Sequence, residues 1–202
     1  MTLEFPDVIE IVPEQEQGVA KIKHVTVTPR DAQFASMRRE HLLREGTYCQ
    51  LFVNGQLVMS DTPYERSTNG EIRNKAHGRV LIAGLGVGLI LKPILENPEV
   101  EYVKVVEKHQ DVIDLVAPHY THDKLEVVCA DIFHWKPEKG EKYNVIYFDI
   151  WPNICTDSLE DIAKLHQRGK FWLDRSDPKR WMDSWMRDYL KYEKRRESRY
   201  YW

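Results

Sequence analysis

The chain has 202 residues and 29 Lys plus Arg against 32 Asp plus Glu, a formal charge of −3, so it carries no global field of the sign that binds nucleic acid. Its 42% hydrophobic and 30% charged content excludes disordered and fibrous classes and fits one main folded domain with room for a small appendage. No apolar run reaches the roughly 18 residues of a membrane span, and acids stand near Met1 where a secretory leader would carry Lys or Arg, so no membrane association and a cytoplasmic location are expected.

The first sixty or so residues read as short strands. Val8 to Val12 is apolar-rich, Val19 to Val27 is rich in β-branched residues, and Tyr48 to Val53 runs into Asn54-Gly55, then Gln56 to Met59. Asn-Gly between apolar runs is a strong hairpin signal, because both residues tolerate the positive φ of a tight type I′ turn. Asp31 to Arg44 has the charge mix of a short helix that Asp31 could cap. Residues 1–62 are therefore expected to form a small β-rich N-terminal domain, and 63–202 a second domain with a helical tail. The three cysteines, Cys49, Cys129 and Cys155, have no C-x-x-C spacing and read as buried, apolar thiols.

From Arg79 the pattern becomes strand, loop, helix, repeated. Val80 to Ala83 is a continuous apolar run of the kind buried on both faces of a parallel sheet. Leu89 to Glu96 follows as a helix that Pro93 should kink. Next come a strand at 100–106, a helix at 110–117, and strands at 125–129 and 144–148. A helix at 158–166, a fifth strand at Lys170 to Leu173 and a long helix over 178–197 complete the series. The alternation predicts an α/β, Rossmann-like, mostly parallel sheet of about five strands, lacking a sixth and seventh. Trp181, Trp185 and Tyr189, four apart, would share one face of the tail helix and pack on the sheet or on a second copy of the chain. Lys194, Arg195, Arg196 and Arg199 are interspersed with acids and read as a solvated face, so no nucleic-acid partner is expected.

Gly84-Leu85-Gly86-Val87-Gly88 places three glycines between a strand and a helix. Backbone without side chains lets a ligand lie close, and a helix N-terminus offers free N–H groups. The third glycine of a nicotinamide fingerprint would fall at Leu89, so the spacing suits an adenosylmethionine loop better. Glu107 ends the second strand 23 positions after Gly84 (107 minus 84), near the offset at which an acid meets ribose hydroxyls. Asp131 ends the third strand and Asp149 the fourth. Carboxyl ends of parallel strands meet at one crevice, where Asp149 is the candidate to orient an acceptor and take its proton. His109 would sit over the edge of a ligand. His119 and His122 lack a third ligand at fixed spacing, so no metal site is expected.

Arg79 to Gly88, Val105 to Glu107, Val127 to Trp135 and Tyr143 to Asp149, with Gln50 to Asp61 upstream, resemble the motifs of class I S-adenosylmethionine-dependent methyltransferases, in particular the spermidine synthase-like branch. The resemblance covers roughly residues 48–150. It implies that Gly84, Leu85, Gly86 and Gly88 line the methionine and ribose of S-adenosylmethionine or S-adenosylhomocysteine. It further implies that Glu107 binds the ribose hydroxyls beside Lys108, that Asp131 and Ile132 face adenine, and that Asp149 borders the reacting end. Aminopropyl-transferring members differ in three places. They carry an acid where this chain has Val87, Tyr-His-Glu where it has Tyr64-Glu65-Arg66, and a Ser, Asp and Pro loop where it has Ile150-Trp151-Pro152-Asn153. The expected activity is therefore methyl transfer to a small-molecule acceptor. A non-catalytic adenosylmethionine-binding protein is the alternative, and aminopropyl transfer ranks third.

Overall fold

The computed structural model describes residues 4–37 and 43–199. Four antiparallel strands, β1 (Gln15–Gln17), β2 (Ala20–Val27), β3 (Gly46–Val53) and β4 (Gln56–Ser60), form a first sheet in sequential order. Asn54 and Gly55 turn β3 into β4 with φ of 51° and 77°, the two positive values a type I′ turn needs. Val8 to Glu10 is a 3-10 turn instead of a strand. Val8 and Val12 are both fully buried, and the Val12 amide bonds the Val8 carbonyl at 2.8 Å, so the four-residue spacing of the valines sets a helical turn. Helix α1 (Pro29–Met37) starts two residues before the expected Asp31. Its cap is Thr28, whose hydroxyl accepts from the Asp31 amide while Asp31 accepts from the Thr28 amide, a reciprocal pair that leaves Pro29 in the first turn. Positions 38–42 of the helix expected over 31–44 lie outside the described residues.

Short helices α2 (Pro63–Thr68) and α3 (Gly70–Lys75) lead to the second sheet. Its strands are β5 (Gly78–Ala83), β6 (Val100–Glu107), β7 (Leu125–Cys129), β8 (Val145–Phe148) and β9 (Trp181–Ser184). All pairings are parallel, in the order β7-β6-β5-β8-β9. This is the expected Rossmann-like sheet. Alternate residues of its central strands face opposite sides. Val80, Ile82, Val103, Val105 and Tyr147 pack with Ile22, Cys49 and Leu51 of the first sheet, while Leu81, Ala83, Val106 and Phe148 pack on the other side with Leu165 of α6 (Ser158–Gly169). Burying one such aliphatic side chain contributes roughly 1.5–3 kcal/mol.

The C-terminal part departs further from the sequence reading. Residues 170–173 are not a strand. The amides of Phe171, Trp172 and Leu173 bond back to Arg168 and Gly169, and only an isolated bridge joins Leu173 to Tyr143. The fifth strand is β9, within the segment expected as helix, so the tail helix α7 (Arg187–Arg199) starts later. Trp181 therefore stacks on Tyr147 from a strand, Trp185 is buried after it, and Tyr189 is exposed on α7, so the three share no helix face. Parallel pairing with β8 outweighs local propensity here. Cys49 is buried as expected, but Cys129 and Cys155 are exposed, since neither side chain points into a core layer.

The first sheet is fastened to α5 (Gln110–Val116) by polar bonds. The Val19 amide donates to Asp111 (2.9 Å), and the side chain of Gln17 donates to Asp114 (2.7 Å). Gly18, at φ +54°, is required there, because a Cβ would lie 2.2 Å from the Asp111 carboxylate. No described helix is long and apolar enough to cross a membrane.

Candidate functional site

Strands β5 and β8 are neighbours whose following segments diverge, which makes their carboxyl ends the switch point of the sheet. Gly84 follows β5 and Asp149 follows β8. The Gly84 amide bonds the Val106 carbonyl (2.9 Å), and the Asp149 amide bonds the Ala83 carbonyl (2.8 Å). A Cβ on Gly84, at φ +96°, would stand 2.0 Å from the Asp149 carbonyl oxygen. One on Gly86, at φ +54°, would stand 1.8 Å from Sδ of Met59 on β4. Gly84 is therefore obligatory, Gly86 is favoured by its positive φ while the flexible Met59 side chain could give way, and the loop surface is bare backbone.

A cavity of about 450 Å³ opens here, within the usual size of small-molecule sites. Gly84, Gly86, Glu107, Lys108, Asp131, Ile132 and Asp149 form its walls together with Leu51, Val53 and Met59 from the first sheet. Leu85 and Gly88 stand behind the wall. Leu85 is buried and offers its amide to Glu107, and Gly88 faces Tyr120, whose hydroxyl donates to the Val87 carbonyl. Helix α4 (Leu91–Leu95) is a single short turn starting three residues after Gly88, with Pro93 inside it. The expected helix at 89–96 thus does not bring an N-terminus to the glycine loop.

Glu107 is buried at the end of β6. One of its carboxylate oxygens accepts from the Leu85 amide (2.9 Å), the other from the His109 amide (2.8 Å). A carboxylate has about four acceptor positions, so two remain for a diol. Asp131 accepts from the Phe133 amide (2.9 Å) and faces Lys108 (3.2 Å). Burial opposes its charge, but the Phe133 bond and the Lys108 ammonium outweigh it and hold the carboxyl below its ordinary value.

Among the described residues Asp149 has no such partner. Its carboxyl is enclosed by protein, with part of the residue facing the cavity, and burial pushes it up to about 7. Glu65, also on the cavity wall, is pushed up to about 8, first by burial and then by the Asp149 charge. The place of Glu65 is set by a clamp on α2. The Glu65 carbonyl accepts from the Asn69 amide (3.0 Å) and side chain (3.1 Å), and Asn69 in turn accepts from the Tyr147 hydroxyl (3.0 Å), two residues before Asp149. The Trp185 indole donates to the Thr68 hydroxyl (3.0 Å), which lies 3.2 Å from the same carbonyl.

The structure thus gathers Gly84, Gly86, Glu107, Lys108, Asp131, Ile132 and Asp149 around one cavity. Glu65, Met59 and Trp185, which also line it, were missed by sequence reasoning. Glu65 stood in view as a departure from Tyr-His-Glu, but its pairing with Asp149 has no local signal.

No protein-family model matches the chain. Polyamine aminopropyltransferase 1 of Streptomyces coelicolor is 31% identical over 130 residues, which span 58% of this chain and 24% of that protein. The chain therefore spans about a quarter of the length of that relative. Among solved structures, spermidine synthase from Thermotoga maritima aligns with a TM-score of 0.46 and 17% identity, over 81% of this chain and 52% of that one. The N-methyltransferase NodS from Bradyrhizobium japonicum WM9 aligns with a TM-score of 0.45 and 15% identity, over 56% of this chain and 65% of that one.

Proposed function

We propose that the chain is an S-adenosylmethionine-dependent transferase that moves a methyl group to a small-molecule acceptor. The observation that carries this reading is the convergence of a bare glycine loop, the diol-competent Glu107 and the unpartnered Asp149 at one switch-point cavity. Gly84 and Gly86 present backbone without side chains to the cavity, which suits a ligand lying against it. Glu107 would hold the ribose hydroxyls with its free lone pairs, and Asp131 and Ile132 would border the adenine. S-adenosylmethionine supplies a methyl group on a sulfonium, a good leaving group. Asp149 then has to hold the acceptor in line and take its proton. Positioning is the larger share of that task.

Calorimetric titration with S-adenosylmethionine, S-adenosylhomocysteine and NAD tests the cofactor. The first two are expected to bind and NAD not to, and equal binding of NAD would overturn the assignment. Product formation by Asp149→Asn against a panel of acceptors tests the chemistry. Loss of turnover with cofactor affinity intact is expected.

A second reading, aminopropyl transfer, is favoured by the likeness to the Streptomyces aminopropyltransferase. It requires decarboxylated S-adenosylmethionine to bind more tightly than S-adenosylmethionine. The loop position at which aminopropyl-transferring proteins carry an acid is the fully buried Val87, which supports methyl transfer instead.

A further inference from the structure

We propose that Glu65 and Asp149 together recognise a single ammonium group, so that the acceptor is a small monoamine with an apolar body. The inference rests on the transferase reading for its consequence, but the site itself is argued from the protein alone.

Five acids line the cavity, and three already have partners. Glu107 is occupied by two backbone amides, Asp131 by Lys108 and the Phe133 amide, and Asp161 by Lys164 (3.3 Å). Glu65 and Asp149 are the two whose carboxyls have neither a hydrogen bond nor an ion pair among the described residues. Two enclosed carboxyls on one cavity wall cannot both ionise cheaply, and burial, with the Asp149 charge acting on Glu65, raises both above the ordinary carboxylate range. Bonds through Asn69, Thr68 and Tyr147 hold the backbone of α2 beside β8, and both carboxyls line the one cavity. Among the described residues the basic side chains on the cavity wall are Lys108, engaged with Asp131, and His109. What the pair lacks is a cation, and a ligand ammonium would supply it with charge-assisted hydrogen bonds. Trp185, bonded to the same Thr68, and Trp151, two residues after Asp149, supply apolar and π surface for the rest of the acceptor. With every other wall acid engaged, a second ammonium has no place.

In the reaction the acceptor nitrogen gives one proton to the ionised carboxyl. Its lone pair forms the N–C bond as the C–S bond of the sulfonium breaks, a thioether leaves, and the proton passes to solvent. The amine gains a methyl group, and no oxidant or reductant is needed.

The test is binding, measured by calorimetry on the full chain with 2-phenylethylamine, its neutral twin 2-phenylethanol and 1,4-diaminobutane, each with and without S-adenosylhomocysteine. The monoamine is expected to bind about tenfold or more tightly than the alcohol. Its binding near pH 7 should release protons, seen as a heat that depends on the buffer's ionisation enthalpy. Glu65→Gln should weaken amine binding by about tenfold and reduce the proton release, with S-adenosylhomocysteine affinity kept within about threefold. Equal binding of amine and alcohol, tighter binding of the diamine, or an unchanged Glu65→Gln overturns the proposal. If Glu65→Gln fails to fold by circular dichroism, proton release by the parent protein decides, and its absence overturns the proposal. Cofactor binding without amine binding sinks this proposal alone. Amine binding without cofactor binding sinks the transferase reading and leaves the cation site standing.

Discussion

The Tyr147 hydroxyl donates a 3.0 Å hydrogen bond to the side-chain carbonyl of Asn69, and Asn69 is fully buried. This one bond ties β8, which leads into Asp149, to the turn after α2, which carries Glu65. Tyr147→Phe removes the donor and leaves the Asn69 oxygen buried without it, a loss of about 1–3 kcal/mol. Urea unfolding should show it. In a double-mutant cycle with Asn69→Ala the two effects should couple by roughly 1 kcal/mol; additive effects would mean that the bond is not formed.

Gly84→Ala should be among the most damaging single changes. The new methyl group meets a backbone carbonyl at 2.0 Å, and neither β5 nor β8 can give way without breaking the sheet. The expected loss is more than about 3 kcal/mol, read as a fall in the urea midpoint. A near-native midpoint would show that the loop relaxes away from Asp149.

Glu107 serves the fold as well as the proposed ligand. Glu107→Ala strands the Leu85 and His109 amides, at about 1–3 kcal/mol for each that water does not reach, so lower stability and weaker cofactor binding are expected together. Glu107→Gln keeps one acceptor oxygen and separates the two. It should unfold closer to the parent while S-adenosylhomocysteine binding still falls by about tenfold. Asp131→Asn, which keeps the Phe133 bond and loses charge toward Lys108, should weaken binding less. A larger loss there than in Glu107→Gln would invert the assignment of the two acids.

The raised Asp149 carboxyl makes stability pH-dependent. Below about pH 4 the group is neutral in both folded and unfolded chains and contributes nothing. Between about pH 4 and the folded value of about 7 the unfolded chain has lost the proton that the folded one retains, so stability falls as pH rises. Asp149→Asn abolishes that slope. Its advantage over the parent should therefore grow from pH 4 to pH 7 and level off above, by at most about 4 kcal/mol, less where cavity water reaches the carboxyl. Parallel pH profiles of urea midpoints would show that Asp149 ionises normally.

Local chemistry along the chain determined the alternation of strands and helices, the Asn54-Gly55 hairpin and the strand ends at which Gly84, Glu107, Asp131 and Asp149 stand. These follow from backbone rules that act within a few residues. Tertiary structure decided what depends on distant pairing. Residues 170–173 hold three apolar residues and 181–184 only two, yet pairing of 181–184 with β8, not propensity, makes that segment the fifth strand. Glu65 reaches the cavity through long-range contacts of α2, among them the bond between Asn69 and Tyr147, 78 positions apart. Burial and the field of a neighbouring carboxyl change what Glu65 and Asp149 can do, and both are properties of the space around a residue, which no spacing along a chain contains.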